Sequence, residues 1–475
     1  MRIFKPGSIF ISVAVLLITA NGICLADPPD AYILEIMAQY HYPGCAAVAA
    51  SGDSIIWSGA FGDANFNQGT IVTDSTLFYL YSPSKTVTGV VFMQLWEDGL
   101  VGLDDDISDY LPCTIENPFY PGVTITPRMI LTHTSALDDN PALNDELIAL
   151  GDSTYSNIEF CQEFFVPGGS LYSTDNFQNF EPGSDYDYST ISFTVLAAIT
   201  ESVSPYSDSF DLHCREYLFE PLLMDNTSFI ISSIDTTQLA MPYSWNGSTH
   251  VPYGYRTTPH YPGAWLKTSA LQLKNYLIAF MQGGEIGGVR ILESTTVDSM
   301  LTIQYPGIDP HQGLAWYRTY HGGREIWGHS GGGFGYGGSS EMFYCPAENS
   351  SVIVLTNGES GATSLIMDSL FNYVSAELSI ETGDGVLSCV ALSRICPNPF
   401  TGSTAISFEL PASAQIHLDV YDICGRKVRS LVEGGYPAGT TSVDFQQGEL
   451  SSGLYFIVLR SGSDIRTERC VLLKQ

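Results

Sequence analysis

The stretch "LYSPSKTVTG", residues 80–89, sets Ser82 three places before Lys85 at the start of an apolar run. Lysine is scarce here: between residues 27 and 394 the chain has only Lys85, Lys267 and Lys274. On a helix, a spacing of three puts both side chains on one face, one turn apart. The helix N-terminus adds unpaired N–H groups and a positive partial charge. A lysine desolvated there loses its proton readily and activates a neighbouring hydroxyl for nucleophilic attack. By itself the pattern is short, and a serine that only caps the helix explains it as well.

Two companions strengthen the chemical reading. In "PGSDYDYSTISF", Tyr188 follows a Pro-Gly turn and opens a second helical stretch, where a phenol beside a lysine can relay a proton. In "EIWGHSGGGFGYGG", His329, Ser330 and Gly331 precede further glycines. That composition suits a strand edge along which a substrate backbone lies, with a backbone N–H offered to an oxyanion. The same residues, Gly328 to Gly332, also fit the G-x-S-x-G elbow with Ser330 as nucleophile. An elbow needs a helix immediately after its serine. Here glycines follow, and the one later histidine, His417, falls in a different part of the chain.

These residues need elements to hold them. "TVTGVVFMQLWEDG", "TISFTVLAAITESVS" and "SALQLKNYLIAFMQGG" carry apolar side chains at helical spacing. "SSEMFYCPAENSSVIVLTNG" reads as two strands around a polar turn. After residue 394 the pattern changes: "STAISFELP", "QIHLDVYD", "TSVDF" and "GLYFIVLRSG" alternate apolar and polar residues, as in a small antiparallel β-sandwich. The intervening "IETGDGVLSCVALSRICPNPF" has a linker's Gly, Asp and Pro. The expected division is a signal peptide over 1–26, a first domain over 27–380, a linker over 381–394 and a second domain over 395–475.

In this order, the three motifs resemble the serine β-lactamase and penicillin-binding-protein family, above all the class C β-lactamases and their esterase and D-stereospecific peptidase relatives. "DSTLFYLYSPSKTVTG", "EDGLVGLDDDISDYLP", "ITPRMILTHTSAL" and "GLAWY" are similar to flanking family segments, and the likeness covers roughly residues 30 to 375. It implies an α+β fold, an antiparallel sheet flanked by helices. It implies Ser82 as nucleophile, Lys85 and Tyr188 as the acid/base pair, and His329, Ser330 and Gly331 on the strand lining the site. The oxyanion hole would be the N–H groups of Ser82 and Gly332. No cofactor is expected, since the lysine and tyrosine would handle the protons, and no metal, since no His/Cys cluster has zinc spacing. Two positions depart from the family pattern. Thr190 stands where Asn is usual; it can accept a hydrogen bond from Lys85 but has no amide for a substrate carbonyl, which favours ester or peptide cleavage over β-lactam hydrolysis. Ala136 replaces the glycine after "THTS". The segment from Asn140 to Phe180 is a long insertion between the first two motifs, placed to cover the site.

Residues 394 to 475 resemble the C-terminal sorting domain of type IX secretion cargo, similar to small immunoglobulin-like sandwiches. The marks are Pro397-Asn398-Pro399, "YDICGRKV", "SGLYF" and the short end "CVLLKQ". The resemblance implies outer-membrane secretion machinery as a partner and a secreted or cell-surface location, reached through the periplasm.

Composition bounds the rest. Of the chain's 51 acidic and 19 basic residues, 8 and 7 lie in 395–475, leaving 43 and 12 before it. So negative a first part repels nucleic acid and anionic membranes. Arg2 and Lys5, the apolar run Ile9–Ala20 and small residues to Ala26 read as a secretory signal peptide, with Ile23 arguing against a lipoprotein cysteine at Cys24. No other apolar run approaches membrane-spanning length. Cleavage would leave nine cysteines, an odd number, with neither CxxC pairs nor zinc spacing. Asp104, Asp105 and Asp106 read as a solvated loop rather than a cation site. The sequence therefore predicts a secreted serine hydrolase acting on a small ester, peptide or β-lactam; the rival is a binding protein of the same fold that has lost activity.

Overall fold

The computed structural model describes residues 29–474, less 208, 334, 360, 382–390, 397, 399, 411, 423–425, 449, 462–463 and 473. The expected signal peptide and most of the expected linker lie outside the described residues. The chain divides into two compact units, Asp27–Ser375 and one that includes Ala376–Gln475.

The first unit is built on an antiparallel sheet. Its strands are β1 (Gly44–Ser51), β2 (Ser54–Asn65), β3 (Thr70–Ile71), then, after two short paired strands β4 (Phe78–Tyr79) and β5 (Lys267–Thr268), β6 (Tyr317–His321), β7 (Arg324–Gly332), β8 (Ser339–Cys345) and β9 (Ser350–Thr356). The sheet order is β6-β7-β8-β9-β1-β2-β3, so the strands next to the chain's start pair with those near the unit's end. The helices that matter for the site are α1 (Asp30–Tyr40), α2 (Ser84–Glu97), α3 (Pro127–Leu131), α4 (Asn157–Phe165), α5 (Ser192–Val203), α6 (Ala270–Met281) and α7 (Thr363–Glu381).

Alternation along β8 explains how the sheet is covered. Tyr344 meets Phe280 of α6 on one face, while Glu341, on the other, accepts from Thr363 at the start of α7 at 2.9 Å. Helix α2 is buried on every side from Ser84 to Met93, so its polar Ser84, Lys85, Thr86 and Thr88 are enclosed together with its apolar residues. Gly89 is required there: a Cβ would stand 2.6 Å from Ala315 Cβ. α6 begins where expected, with Ser269 Oγ accepting from Gln272 N at 3.2 Å.

The insertion is a folded piece of the unit. Phe160, Phe164 and Phe165 of α4 are fully buried and pack α4 on α5. Asn176 ties the segment down, donating to Phe164 O at 2.6 Å and accepting from Asn140 at 2.6 Å. Phe160, Phe164, Phe165 and Phe177 thus form core, while Tyr155, Tyr172 and Phe180 are half-buried.

The second unit holds two antiparallel sheets. Strands β10 (Ala391–Cys396), β11 (Ser403–Leu410), β12 (Ala414–Asp422), β13 (Lys427–Tyr436), β14 (Gly439–Gln446), β15 (Gly453–Ser461) and β16 (Asp464–Leu472) pair as β10-β11-β14 and β13-β12-β15-β16. Phe408, Ile416, Leu418, Val420, Phe445 and Ile457 are among its buried core. Asn398, from the Pro-Asn-Pro mark, accepts from Val471 N at 2.8 Å and so holds the last strand. Among the described residues, no helix is long and apolar enough to cross a membrane.

Candidate active site

Ser82 sits on the turn that begins α2. Lys85 N donates to Ser82 O at 3.0 Å, so one helical turn separates the two side chains. The chain enters this turn sharply. Tyr81 has φ +56°, a conformation costly for a bulky residue, and it is fixed by burial and by a 3.1 Å bond from its hydroxyl to Tyr336 O. Ser340 Oγ holds the preceding carbonyl, Leu80 O, at 2.5 Å. Ser82 emerges from this anchored corner half-buried.

Lys85 is completely buried. Its Nζ donates to Gly263 O at 2.9 Å and to Thr190 Oγ1 at 3.1 Å. It also lies 4.7 Å from the centre of the Tyr188 ring and 5.7 Å from that of Phe193. Burial pulls its pKa down from 10.5 to about 7, with the charge of Asp139 opposing. A lysine so placed exchanges protons near neutrality.

Tyr188 is 38% exposed, yet desolvation at its hydroxyl end dominates and raises its pKa, while a hydrogen bond with Ser82 acts against the rise. Its ring packs on His133, centroids 4.3 Å apart, and stands 6.0 Å from His329. Tyr188 precedes the helix rather than opening it: α5 starts at Ser192, because the N–H groups of Thr190 and Ile191 turn outward to Asp139 at 2.6 and 2.8 Å. His133, from the "THTS" segment, accepts from Ser189 N at 3.2 Å. Burial and the nearby Lys85 hold its pKa well below the ordinary range.

The third motif lies on β7. Pairing with β6 ends at Tyr317↔Gly328, so residues 329–332 continue past that neighbour while still paired to β8 through Gly332↔Ser339. Gly331 lies against the segment that carries Ser82; a Cβ there would sit 2.5 Å from Leu80 O and 2.7 Å from Pro83 Cδ. His329 is part-buried, and its pKa is lowered to about 4, first by burial and then by Lys85. Ser330 faces the opposite side of the strand, where its hydroxyl donates to Glu341 Oε2 at 2.6 Å. It sits within β7, and the element that follows β7 is the strand β8 and not the helix an elbow requires.

The fold thus brings Ser82, Lys85, Tyr188, Thr190, His329 and Gly331 to one place, with Gly332 next on the same strand edge, and turns Ser330 away. Sequence reasoning missed Asp139, Gly263 and His260. Gly263 O is a backbone acceptor, which leaves no mark in a side-chain pattern. His260 is buried, with a pKa lowered to about 4 by burial, and it feels both Asp139 and Lys85. Asp139 carried one weak signal: it is an acid two residues past the resembling "ITPRMILTHTSAL" segment. The three aspartates 104–106 have protein partners: Arg128 on Asp104 at 2.7 Å, Tyr110 on Asp105 and Ser108 N on Asp106 at 2.9 Å.

Comparison with known proteins places this geometry. Residues 29–372 match the family model Beta-lactamase, and residues 394–473 match the Secretion system C-terminal sorting domain. Protein flp of Staphylococcus aureus is 21% identical over 337 residues, 69% of this chain and 62% of that protein. The putative penicillin-binding protein PbpX of Bacillus subtilis is 24% identical over 286 residues, 60% of this chain and 64% of its own. The chain spans less than two thirds of the length of these curated relatives. Among solved structures, a penicillin-binding protein from Bacillus halodurans superposes with a TM-score of 0.58 at 20% identity, covering 73% of this chain and 99% of its own. The D-amino acid amidase of Ochrobactrum anthropi gives 0.57 at 18%, with 74% and 99% covered. EstCE1, a hydrolase with promiscuous acyltransferase activity, gives 0.56 at 22%, with 73% and 98% covered. The sorting domain marks the chain for secretion or the cell surface by the type IX system.

Proposed function

The chain belongs to the Beta-lactamase family of serine hydrolases, and from that premise we propose that it cleaves an ester or amide bond, D-residue peptides included, through an acyl-enzyme on Ser82. The observation that carries this reading is Lys85: fully buried, one turn from Ser82, bonded to Thr190 and Gly263, with a pKa brought to about 7.

In the first step Ser82 Oγ attacks the substrate carbonyl. Its proton passes to the Lys85–Tyr188 pair as the C–O bond forms. The carbonyl oxygen becomes an oxyanion, received by the N–H groups of Ser82 and Gly332; losing one such donor costs about 10²–10³ in rate. The intermediate collapses, the bond to the alcohol or amine breaks, and the pair returns the proton to that leaving group. Water then attacks the Ser82 ester by the same proton route, freeing the acid and restoring the serine.

Thr190 favours esters and simple amides over β-lactams. Its hydroxyl is engaged with Lys85, and it has no amide to hold a substrate carbonyl. The neighbouring folds named for D-amino acid amidase and promiscuous acyltransferase chemistry support the same range. The sorting domain supports delivery through the periplasm to the outer surface, with the secretion machinery as partner.

The test is covalent labelling of the secreted protein with a fluorophosphonate, read by intact mass and peptide mapping. One adduct on Ser82, absent from Ser82→Ala, is expected. An adduct on Ser330 would transfer the nucleophile's role there. No adduct on folded protein would leave a binding protein with this fold. Short-chain p-nitrophenyl esters, D-amino acid amides and nitrocefin, offered in parallel, then rank the substrate classes.

A further inference from the structure

Asp139 lies between α3 and α4, six residues after His133. One oxygen, Oδ1, accepts three hydrogen bonds from a single turn: from Ser189 Oγ at 2.8 Å, Thr190 N at 2.6 Å and Ile191 N at 2.8 Å. The two amides stand just ahead of α5, where a helix has no internal acceptors to offer them. A carboxylate reaching in from another loop satisfies both. Such a bond to a charged acceptor is stronger than a neutral one.

The clamped turn is the one that surrounds the lysine. Tyr188 precedes it and Thr190 is in it. Thr190 Oγ1 takes one of the Lys85 hydrogen bonds. The other goes to Gly263 O, and Gly263 packs so closely on Thr190 that a Cβ would collide with Thr190 O. Both acceptors of the ammonium therefore depend on where residues 189–191 sit.

We propose that Asp139 is a positioning residue for the reactive lysine: by clamping Ser189–Ile191 it holds Thr190 and Tyr188 against Lys85, and its charge is the anion that Lys85 faces. This rests on the reading of Ser82, Lys85 and Tyr188 as the reactive set.

The surrounding charges single Asp139 out. The titratable groups around Lys85 are Tyr188 ahead of α5, His133 and Asp139 from the loop after α3, His260 ahead of Gly263, and His329 from β7. Burial keeps the three imidazoles neutral at pH 7. Burial lowers the lysine, and Asp139 supplies the charge that opposes it, beside the neutral acceptors Thr190 Oγ1 and Gly263 O.

The experiment follows the rate of fluorophosphonate labelling of Ser82 against pH, on the full secreted chain, so that no substrate need be known. Asp139→Asn keeps the shape and removes the charge. The rate at its plateau should fall roughly 10²-fold through misplacement of the turn. The acid limb should move down by about one pH unit, since a lost anion favours the neutral lysine. Asp139→Glu should return the limb toward its original pH with part of the rate. A merely structural aspartate would lower the amount of folded protein without moving the limb. Labelling of the Asn variant at the original rate and pH dependence would overturn the proposal while leaving the serine assignment intact. No labelling of the unaltered protein would instead overturn the reading beneath it. If near-ultraviolet circular dichroism shows the Asn variant unfolded, Asp139→Glu and Ser189→Ala decide: the unaltered rate and limb in both would refute the clamp.

Discussion

Lys85 carries two opposing demands. Desolvation favours the neutral amine, while Thr190, Gly263 O and Asp139 favour the ammonium. The balance, near pH 7, has consequences for rate and for stability. In the proposed first step Lys85 acts as a base and must be neutral, so log kcat/KM should rise with unit slope below about pH 7 and level off above it. The stability consequence has its own sign. The folded pKa lies below the unfolded 10.5, so the unfolded chain binds more protons between the two values. Stability is therefore complete above about 10.5, falls as pH drops, and levels out below about 7. Lys85→Met removes that burden along with the chemistry. The variant should lose labelling of Ser82 while gaining up to roughly 3 kcal/mol at pH 6, less whatever the lost hydrogen bonds contribute. Urea melts at pH 6 and pH 10 check this, and a gain as large at pH 10 as at pH 6 would contradict it. Lys267 shows why spacing mattered. It is equally buried, and burial brings its pKa down to about 7 against the opposing charges of Asp152 and Asp211, yet no serine stands three residues before it.

At the scale of elements, backbone conformation decides what sequence patterns leave open. Ala136 holds φ +56° within the "THTSAL" turn, the region that glycine enters freely and alanine only with strain. Ala136→Gly should stabilise the protein by about 0.5–1 kcal/mol, the relief of strain exceeding glycine's larger unfolded entropy. A rise in the urea midpoint at unchanged slope is the expected readout, and a fall would mean that the methyl, which is buried, contributes more by packing. The helices α2, α5 and α6 and the pair β8–β9 were legible because long apolar periodicity and turn residues mark them. The start of α5 was not: Asp139, some fifty residues away, takes the amides of Thr190 and Ile191, and no local signal reports that. Likewise, the alternation along β7 does not reveal that Ser330 turns toward Glu341, since sheet neighbours fix which face is which. The motif residues were readable because chemistry restricts their types, whereas Gly263 acts through its carbonyl, which every residue possesses.

Over the whole molecule, charge is divided as unevenly as chemistry. Residues 395–475 carry 8 acidic and 7 basic side chains of the chain's 51 and 19, so nearly all of the net charge of −32 belongs to what precedes them. Like charges at that density repel within the folded first unit, and salt relieves them: the screening length shrinks from about 30 Å at 0.01 M to about 3 Å at 1 M. Each unit also has its own buried core, and α7 runs to Glu381, past the point where the units divide. A chain ending at residue 390 keeps that helix whole. It should melt cooperatively and label at Ser82 within about twofold of the full-length rate, because the residues named for the site, Ser82 to Gly332, all lie in the first unit. Its melting temperature should climb by several degrees between about 0.01 and 0.5 M sodium chloride, while residues 391–475 expressed alone should show little change. Equal salt responses from the two pieces would mean that the acidic surface is already neutralised by its own pairing. A first piece that aggregates instead of melting would mean that its fold depends on the sandwich.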